Sequence, residues 1–231
     1  MDKVVVLNQS EVSDYQYNEA MKTLRTNIQF SGTGIHVVMF TSSVPGEGKS
    51  ETSFHLASSL AQLDKRVLLI DADIRKSVLV SRYQLDKRVD GLSEYLSGQK
   101  EREDVIYETN VPNLSMIFSG PYSPNPAELL EESLFAELVT WARQNYDYII
   151  IDTPPMGSVI DGAIIARSCD GAIMVIESGS ISYRVLQKVK LQLEKSGCRI
   201  LGTVLNKVDV HQSSYYYYGK YGKYYLSLIH I

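Results

Sequence analysis

One stretch, TSSVPGEGKSET at residues 41–52, constrains the fold of this chain more than any other feature of its sequence. The apolar run IHVVMF comes directly before it, and apolar residues at helical spacing follow it, at Phe54, Leu56, Ala57, Leu60 and Ala61. A strand, a glycine-bearing loop and a helix in this order predict a loop that binds phosphate. In such a loop, glycines let successive backbone N–H groups face one point, and the helix start adds its positive end.

The loop supplies most of the residues that we expect to bind a nucleoside triphosphate. Lys49 is expected to reach the β- and γ-phosphates, and the Ser50 hydroxyl is expected to be a ligand of Mg²⁺. The usual pattern has a glycine before this point, where Ser43 stands in this chain. A solvated turn before a helix is the alternative interpretation. The predicted ATP-binding residues of this stretch are Pro45, Gly46, Glu47, Gly48, Lys49, Ser50 and Glu51.

Strands and helices alternate along the chain at a spacing that predicts an α/β domain. The run RVLLIDAD is apolar without alternation, which is typical of a strand covered on both faces in a parallel sheet. We predict a P-loop NTPase-like fold over residues 1–210: a doubly wound, mostly parallel β-sheet flanked by helices. The predicted strands are at residues 4–7, 35–41, 66–73, 114–118, 148–152, 172–176 and 199–206. The predicted helices are at residues 14–31, from the loop to about 63, 133–144, 161–167 and 183–195, with short helices near 91–96 and 102–107 and one that has Pro126 in its first turn.

Composition narrows the setting in which such a domain works. A net charge of −4 gives no reason to expect nucleic acid as a partner. Cys169 and Cys198 lack metal-ligand spacing, which favours the reducing cytoplasm and disfavours a disulfide. The chain shows no signal peptide and no apolar run approaching the roughly 20 residues that cross a bilayer. We expect any association with a membrane to come through a partner.

Three aspartates follow apolar strands and are predicted to complete the site. Asp71 and Asp73 are two positions apart in LLIDADIR, so they share a face if the strand persists, and Asp152 ends YIIID. Carboxylates placed in this way beside a phosphate loop hold Mg²⁺, so the predicted metal ligands are Ser50, Asp71 and Asp152. We assign Asp71 the role of general base and metal-network member, with Asp73 supporting it, although the two could be exchanged. The predicted catalytic residues are Lys49, Asp71, Asp73 and Asp152; the alternative is that the aspartates only end strands.

Two further residues have weaker signals. Arg75 is predicted to neutralise the acidic cluster or to contact a phosphate, with an ordinary surface arginine as an equally good interpretation. Asn206 ends the strand that leads into VLNKVD, and a strand-end asparagine in this class of protein tends to lie near the adenine base. Both residues are therefore included among the predicted ATP-binding residues. A residue that only ends a strand is the alternative for Asn206.

The C-terminal part of the chain is rich in tyrosine. Residues 211–231 are predicted to form a flexible tail in which glycine and lysine separate the tyrosines. Such a segment could present each hydroxyl in turn to an open active site. The tyrosines of this segment are Tyr215, Tyr216, Tyr217, Tyr218, Tyr221, Tyr224 and Tyr225, and the family resemblance described below implies that they are phosphorylated. A merely sticky, disordered segment is the alternative, and nothing is predicted from the last six residues, LSLIHI.

Taken together, these motifs resemble those of the bacterial tyrosine kinases of capsule and exopolysaccharide synthesis, in the form with a separate cytoplasmic kinase chain. PGEGKS, LLIDADIR, IIIDTPP and the tyrosine cluster carry the resemblance, and SPNPAELL and NEAMKTLRTNI support it. The resemblance implies ATP- and Mg²⁺-dependent phosphorylation of the tail. It also implies activation by a transmembrane chain-length regulator (a polysaccharide co-polymerase) that recruits the cytoplasmic kinase to the inner face of the membrane.

The same resemblance implies that the chain assembles with itself. In the family, a Glu-x-x-Arg-x-x-Arg motif on the first helix mediates a ring-like oligomer in which one subunit's tail enters the next subunit's site. The corresponding residues here are Glu19, Lys22 and Arg25. Lys22 keeps the charge at the middle position but lacks the bidentate fork of arginine.

Two other functions fit parts of the pattern. A partitioning or division-site ATPase has the same fold, but it typically carries a second lysine early in the phosphate loop, which SSVPGEGK lacks. Such ATPases also usually end in a basic amphipathic helix instead of tyrosines. A regulatory adaptor that binds nucleotide without transferring phosphate is the second alternative.

Overall fold

A computed structural model describes residues 4–8, 15–85, 88–208 and 228–229 of the chain. Within these residues, one sheet has nine strands in the order β1-β4-β5-β3-β6-β2-β7-β8-β9. The strands are β1 Val4–Val5, β2 Val37–Ser42, β3 Val67–Asp71, β4 Tyr107–Thr109, β5 Leu114–Ile117, β6 Tyr148–Asp152, β7 Gly171–Glu177, β8 Ile200–Asn206 and β9 Leu228–Ile229. The helices are α1 Tyr15–Phe30, α2 Lys49–Ala61, α3 Leu79–Arg82, α4 Leu92–Leu96, α5 Arg102–Val105, α6 Pro126–Glu131, α7 Ser133–Asn145, α8 Asp161–Ala166 and α9 Tyr183–Lys195.

The centre of the sheet is parallel. Strands β5, β3, β6, β2, β7 and β8 pair in parallel with their neighbours, whereas β4 and β9 are antiparallel to β5 and β8. All residues of β2 and β3 are buried, because helices cover the sheet on both sides. This arrangement confirms the predicted doubly wound, mostly parallel fold. It also brings the carboxyl ends of the parallel strands to one edge of the sheet, where ligands bind in such folds.

Alternate residues of the central strands belong to two hydrophobic cores, one on each face. Val37 and Met39 pack into one core, and Val38 and Phe40 pack into the other. The N-terminal helix α1 contributes its buried face to the second core and lies against α2. Because α2 follows directly from the phosphate loop, α1 is one helix away from the site.

Some predicted boundaries differ from the structure. The strand predicted at residues 66–73 ends at Asp71 and does not continue to Asp73, because the Asp71 carboxylate accepts the N–H of Asp73 and turns the chain. The helix predicted near residues 102–107 ends at Val105, and Tyr107 instead begins β4 by pairing with Met116. Short elements such as α3 and β4 are held by tertiary contacts and have no periodicity of their own to detect.

Two further observations complete the fold. In the predicted tail, the described residues are those of β9, which pairs antiparallel with β8. None of the helices in the described ranges is both long enough and apolar enough to cross a membrane.

Candidate active site

The phosphate loop joins β2 to α2 and is shaped by two glycines. Gly46 and Gly48 both have φ of +89°, a backbone region that side chains rarely adopt. At Gly48 a Cβ would also lie only 2.0 Å from the side-chain nitrogen of Asn206. The Gly48 carbonyl accepts the N–H and the hydroxyl of Thr52, so α2 starts directly from the loop. The glycines predicted from the sequence are therefore required by the geometry.

The carboxylate of Glu47 holds the first half of the loop, where the usual glycine is replaced. Glu47 Oε2 accepts the N–H groups of Ser43 and Val44 at 2.7 and 2.9 Å, and Oε1 accepts the N–H of Glu177 at 3.1 Å. The Glu47 residue is only 1% exposed. Its side chain thus braces the loop from within, which is a role that the sequence analysis did not foresee for this predicted ATP-binding residue.

At the start of α2, Lys49 lies beside the end of β6. Its Nζ donates to Asp152 Oδ1 at 2.6 Å and to the hydroxyl of Ser50 at 3.1 Å. The side chains of Lys49 and Asp152 are 7% and 1% exposed. The structure therefore brings together three of the predicted site residues in one buried cluster.

Asp71 lies next to this cluster, because β3 and β6 are neighbours and Asp71 is in register with Asp152. Burial, and secondly the charge of Asp152, raise the pKa of Asp71 to about 8, and the hydroxyl of Ser77 opposes this by donating to Asp71 Oδ2. The same hydroxyl oxygen accepts the N–H of Leu79 at 3.1 Å. Asp71 is consequently a buried acid whose direct side-chain partner is a neutral hydroxyl.

Asp73 lies beyond the end of the strand and is half-buried, so it does not share a strand face with Asp71. Its N–H donates to Asp71 Oδ1 at 3.3 Å, and its own Oδ1 accepts the N–H of Lys76 at 3.0 Å. The turn through Asp73 thereby holds the second acid at the mouth of the site.

Arg75 pairs with a residue that was not predicted. Its Nε and Nη2 donate to the two carboxylate oxygens of Asp161 at 2.6 and 2.9 Å, and Asp161 is 0% exposed. This hydrogen bond raises the pKa of Arg75. The charge of Arg75 therefore balances Asp161 directly, and the charge of Asp73 contributes to the raised pKa of Arg75 as well. Neutralisation of the acidic cluster by Arg75 stays a prediction, and so does its contact with a phosphate.

A cavity of about 410 Å³ opens beside Asp73. It lies between the turn after β3, the segment before α4 and the loop after β5. Its walls combine charged and apolar side chains, including Lys76, Val80, Arg88, Glu94 and Tyr122. Cavities of a few hundred Å³ with mixed walls commonly bind small molecules or side chains.

At the other side of the loop, Asn206 and Lys207 contact its backbone. Asn206 Nδ2 donates to the Glu47 carbonyl at 3.0 Å, and Lys207 Nζ donates to the Gly46 carbonyl at 2.7 Å. The structure thus places Asn206 against the phosphate loop. Its predicted contact with a base stays a prediction.

The predicted oligomerisation residues lie along α1. Lys22 Nζ donates to Glu19 Oε1 at 2.6 Å within the helix. Arg25 Nη1 donates to the carbonyl and the hydroxyl of Ser59 on α2, at 2.8 and 3.1 Å. Arg25 is therefore engaged inside the subunit, whereas the Lys22 side chain is 56% exposed. All seven predicted phosphorylation sites lie outside the described residues.

The chemistry of the cluster fits Mg²⁺. Ser50, Asp71 and Asp152 offer one hydroxyl and two carboxylates at the strand ends, and Mg²⁺ typically takes one or two carboxylates together with phosphate oxygens and water. In the described residues, no group of three or more His, Cys, Asp or Glu side chains could hold a metal by itself.

Four residues of the site were missed by the sequence analysis: Ser77, Asp161, Glu177 and Lys207. Ser77, Asp161 and Glu177 lie in segments where nothing in the local pattern distinguishes them from other polar residues. Lys207 lies in VLNKVD, the segment that was used only for Asn206. A basic residue directly after a strand-end asparagine was the available signal.

Comparisons with known proteins agree with this geometry. Residues 35–196 match a family model described as an AAA domain. The chain is 45% identical to tyrosine-protein kinase CpsD of Streptococcus agalactiae over 92% of this chain and 96% of that protein. It is 40% identical to tyrosine-protein kinase YwqD of Bacillus subtilis (strain 168), over 87% of this chain and 86% of that protein.

Solved structures of a tyrosine kinase and of a division-site ATPase differ in their similarity to this chain. The kinase domain of the Escherichia coli tyrosine kinase ETK superposes with a TM-score of 0.81 at 32% identity, covering 94% of both chains. The septum site-determining protein MinD of Pyrococcus horikoshii OT3, complexed with Mg-ADP, gives a TM-score of 0.65 at 25% identity, covering 78% of this chain and 72% of that chain. The division-site ATPase is thus the more distant of the two.

Proposed function

This chain belongs to the bacterial tyrosine-protein kinases, and from that premise we propose that it transfers the γ-phosphoryl group of ATP to its own C-terminal tyrosines. It is a protein-tyrosine kinase with a nucleotide-binding P-loop fold. The observation that carries the finer proposal is the pair of buried carboxylates, Asp71 and Asp152, at one register beside Lys49. An enzyme that moves a phosphoryl group to a hydroxyl needs one acid for the metal and another for the proton.

The phosphate loop and Lys49 would hold the nucleotide. In the structure Lys49 Nζ donates hydrogen bonds to Asp152 and Ser50. On nucleotide binding it would exchange these contacts for β- and γ-phosphate oxygens. Ser50 and Asp152, with Asp71, would hold the Mg²⁺. When bound, the ion would neutralise charge that develops on the phosphates.

Asp71 would act as the general base. In the chain without Mg²⁺, burial raises its pKa to about 8, and the charge of a bound Mg²⁺ would lower this pKa toward the working pH, where a base is most effective. Ser77 orients the carboxylate by donating to one oxygen, and the N–H of Asp73 is directed to the other. Asp73, at the mouth of the site, would support Asp71 by orienting the incoming hydroxyl. The exchange of these two roles stays open.

The acceptor tyrosine would enter through the cavity beside Asp73. An apolar wall with Val80 and Tyr122 suits an aromatic ring, and Asp73 marks the inner end, where the hydroxyl would lie. Strand β8, from which the tail departs, is four strands away from β3 in the sheet. At about 4.8 Å per strand this is roughly 19 Å. The nine residues from Asn206 to Tyr215 could span roughly 30 Å, so delivery of the tail from a neighbouring copy rests on the ring-like oligomer that the resemblance implies.

The biological role that we propose is control of capsular or exopolysaccharide polymerisation and export. A transmembrane polysaccharide co-polymerase would activate the kinase and hold it at the inner face of the membrane. Support comes from the resemblance of the motifs and from the relatives named above, which are separate tyrosine-protein kinases of similar length.

An anti-phosphotyrosine blot after incubation with ATP and Mg²⁺ tests the reaction. We expect strong labelling of the full chain, supplied with the activator's cytoplasmic segment, and at least a hundredfold less for Lys49→Met and Asp71→Asn. A variant with all seven tail tyrosines changed to phenylalanine should lose labelling but still bind ADP. Equal labelling of Lys49→Met and the parent would contradict the site assignment.

A mixing experiment tests transfer between copies. Lys49→Met protein, which keeps its tail, is combined with active protein that lacks residues 211–231. Label on the Lys49→Met chain is expected, with a rate that rises with the concentration of the tailless protein. Labelling that occurs only when tail and active site are in the same chain would contradict transfer between copies.

A further inference from the structure

The phosphate loop is held from the side of β7 and β8 by four residues, Glu47, Glu177, Asn206 and Lys207, which we call the loop clamp. Glu177 ends β7, and Asn206 ends β8. Glu177 and Asn206 are paired in register, and the N–H of Ser178 donates to the Asn206 carbonyl at 2.9 Å. The clamp is thus built on the rigid ends of two neighbouring strands.

Lys207 is the part of the clamp that contacts the loop with a charge. Its Nζ donates to the Gly46 carbonyl at 2.7 Å and to Glu177 Oε2 at 3.0 Å. The N–H of Glu177 in turn donates to the carboxylate of Glu47 at 3.1 Å. Glu177 therefore contacts the loop by its backbone and, through Lys207, by its side chain. The backbone of Lys207 has φ of +54°, an uncommon value for a residue with a side chain.

The two carbonyls that the clamp binds belong to the peptides of the loop's central turn. Asn206 binds the Glu47 carbonyl and Lys207 binds the Gly46 carbonyl. In a trans peptide the C=O and the N–H point in opposite directions. Holding these carbonyls on the β8 side consequently directs the N–H groups of Glu47 and Gly48 to the other side of the loop. Successive N–H groups on one side are what a phosphate-binding nest requires.

Without the clamp, the same peptides would be less restricted. Gly48 tolerates both signs of φ, so the Glu47–Gly48 peptide, whose carbonyl Asn206 holds, can flip at little steric cost. A full flip of the Gly46–Glu47 peptide would also change φ of Glu47, so Lys207 chiefly opposes the smaller rotations that Gly46 allows. A flipped peptide would turn a carbonyl oxygen toward the phosphates and repel them. Glu47 also binds the N–H of Ser43, the residue that stands where the usual pattern has a glycine. The position of Glu47 therefore affects both halves of the loop.

We propose that Lys207, fixed by Glu177, is a positioning residue for the nucleotide that keeps the phosphate loop in its binding conformation. This inference rests on nucleotide binding in the proposed function and is independent of the phosphoryl acceptor. Lys207 contacts the backbone of the loop and touches neither the acid pair nor the acceptor cavity. Its loss should therefore weaken nucleotide affinity and leave the chemical step nearly unchanged.

The test compares Lys207→Ala with Lys207→Arg and with the control Lys190→Ala in the full chain. Lys190 pairs with Glu194 on α9 at 2.6 Å, so the control also removes an ion-paired lysine, but away from the loop. Titration with a fluorescent ADP analogue and Mg²⁺ gives the Kd. We expect about tenfold weaker binding for Lys207→Ala, as a charge-assisted hydrogen bond implies, a change of less than about threefold for Lys207→Arg, and no change for Lys190→Ala.

Two further readouts separate positioning from a general loss of structure. In the phosphorylation assay, Lys207→Ala should raise the KM for ATP about tenfold with kcat within about twofold of the parent. In the nucleotide-free chain, amide hydrogen exchange of residues 43–48 should become faster, while the exchange of β3 and β6 stays the same. Glu177→Gln, which keeps the fold and weakens the brace, should show the same changes to a smaller extent.

Parental ADP affinity in both Lys207→Ala and Glu177→Gln would overturn the inference, and so would equal losses in Lys207→Ala and Lys190→Ala. If Lys207→Ala does not fold, Glu177→Gln alone decides the question by its Kd. The outcome is separate from that of the proposed function, because ADP binding is measured without phosphoryl transfer. A chain that never labels tyrosine could still show the effect of Lys207, and the reverse also holds.

Discussion

At the scale of single residues, Lys49 determines which of two buried carboxylates has a countercharge. Its Nζ lies 2.6 Å from Asp152 Oδ1. Asp71, in register on the neighbouring strand, has the neutral hydroxyl of Ser77 instead. A buried carboxylate without a countercharge disfavours its ionised form, so two acids of the same type differ in chemistry.

The Asp71→Asn variant tests this difference through stability. Burial and Asp152 raise the pKa of Asp71 from 3.8 to about 8, so the folded chain retains a proton that the unfolded chain releases above about pH 4. The stabilising contribution is complete below about pH 4 and is lost as the pH rises to 8. We therefore expect the free energy of unfolding of Asp71→Asn to exceed that of the parent at pH 8 by on the order of 5 kcal/mol, with little difference at pH 4.

Urea unfolding at a series of pH values, with EDTA and no nucleotide, measures this effect. Asp64→Asn, at an exposed position, serves as the control, and its free energy of unfolding should equal that of the parent at every pH. Parallel pH profiles for the parent and Asp71→Asn would show that Asp71 holds no extra proton in the fold.

A second residue-scale prediction concerns the pair of Arg75 and Asp161. Asp161 is fully buried, so Arg75→Ala would leave a buried charge without its partner. Because the Arg75 side chain is 33% exposed, solvent screens part of the loss, and we expect a decrease of about 2 kcal/mol in the free energy of unfolding. Adding Asp161→Asn should restore about half of that decrease. If the single and the double variant unfold at the same urea concentration as the parent, the ion pair does not contribute to the free energy of unfolding.

At the scale of elements, one side of helix α1 packs against the rest of the chain and the other side is exposed. Arg25 hydrogen-bonds to Ser59 on α2, and its Nε is buried with no partner among the described residues. Lys22 is half-exposed and contacts Glu19 of the same helix. Within the predicted oligomerisation motif, the middle position is therefore the one whose side chain is free to move to a neighbouring subunit.

We expect Lys22→Arg to strengthen self-association about threefold to tenfold. A guanidinium can bind a carboxylate with two parallel hydrogen bonds, whereas an ammonium acts as a single point of charge. Sedimentation velocity over a range of protein concentrations measures the change, and Lys65→Arg, at an exposed position after α2, is the control. Unchanged association of Lys22→Arg would remove Lys22 from the interface.

The behaviour of the elements also shows where prediction from sequence works. Strands β2, β3 and β6 were predicted because each is an unbroken apolar run, as a strand covered on both faces must be. Helix α3 and strand β4 were not predicted, since four and three residues are too few to show a period. The end of β3 was misplaced by two residues, because the Asp71 carboxylate accepts the N–H of Asp73 and turns the chain there.

At the scale of the whole molecule, we propose that charge links phosphorylation of the tail to self-assembly. The chain has a net charge of −4, and each phosphate would add roughly −1.5 to −2 at pH 7. Seven phosphorylated tyrosines would bring the net charge to roughly −15 or below, concentrated in one segment. Repulsion between neighbouring tails should then release subunits from the oligomer.

We expect light scattering to report a large particle before treatment with ATP and Mg²⁺, and smaller particles after it. The shift should be reduced at 0.5 M salt, because salt screens repulsion between exposed charges. A chain without residues 211–231 should show no ATP-dependent shift. If the tailless chain and the full chain change size equally, tail phosphorylation does not control assembly.

The sequence by itself determined the fold class, the loop and the positions of the candidate site residues. Strand, glycine-bearing loop and helix are local patterns that mark Lys49, and Asp71 and Asp152 end apolar runs that are typical of buried strands. The tyrosine-rich tail likewise needed only composition. These features are readable because the atoms that matter lie within a few residues of the pattern that marks them.

Only the tertiary structure decided how the loop and the acids are supported. Glu47 is hydrogen-bonded to Glu177, 130 positions away, and Arg75 is paired with Asp161, 86 positions away. Nothing local marks Glu177 or Asp161, because their partners come near only when β7 and α8 pack beside the site. The buried state of Asp71 also depends on β6 as its neighbour in the sheet. Its raised pKa is thus a property of strand order, which the linear pattern does not contain.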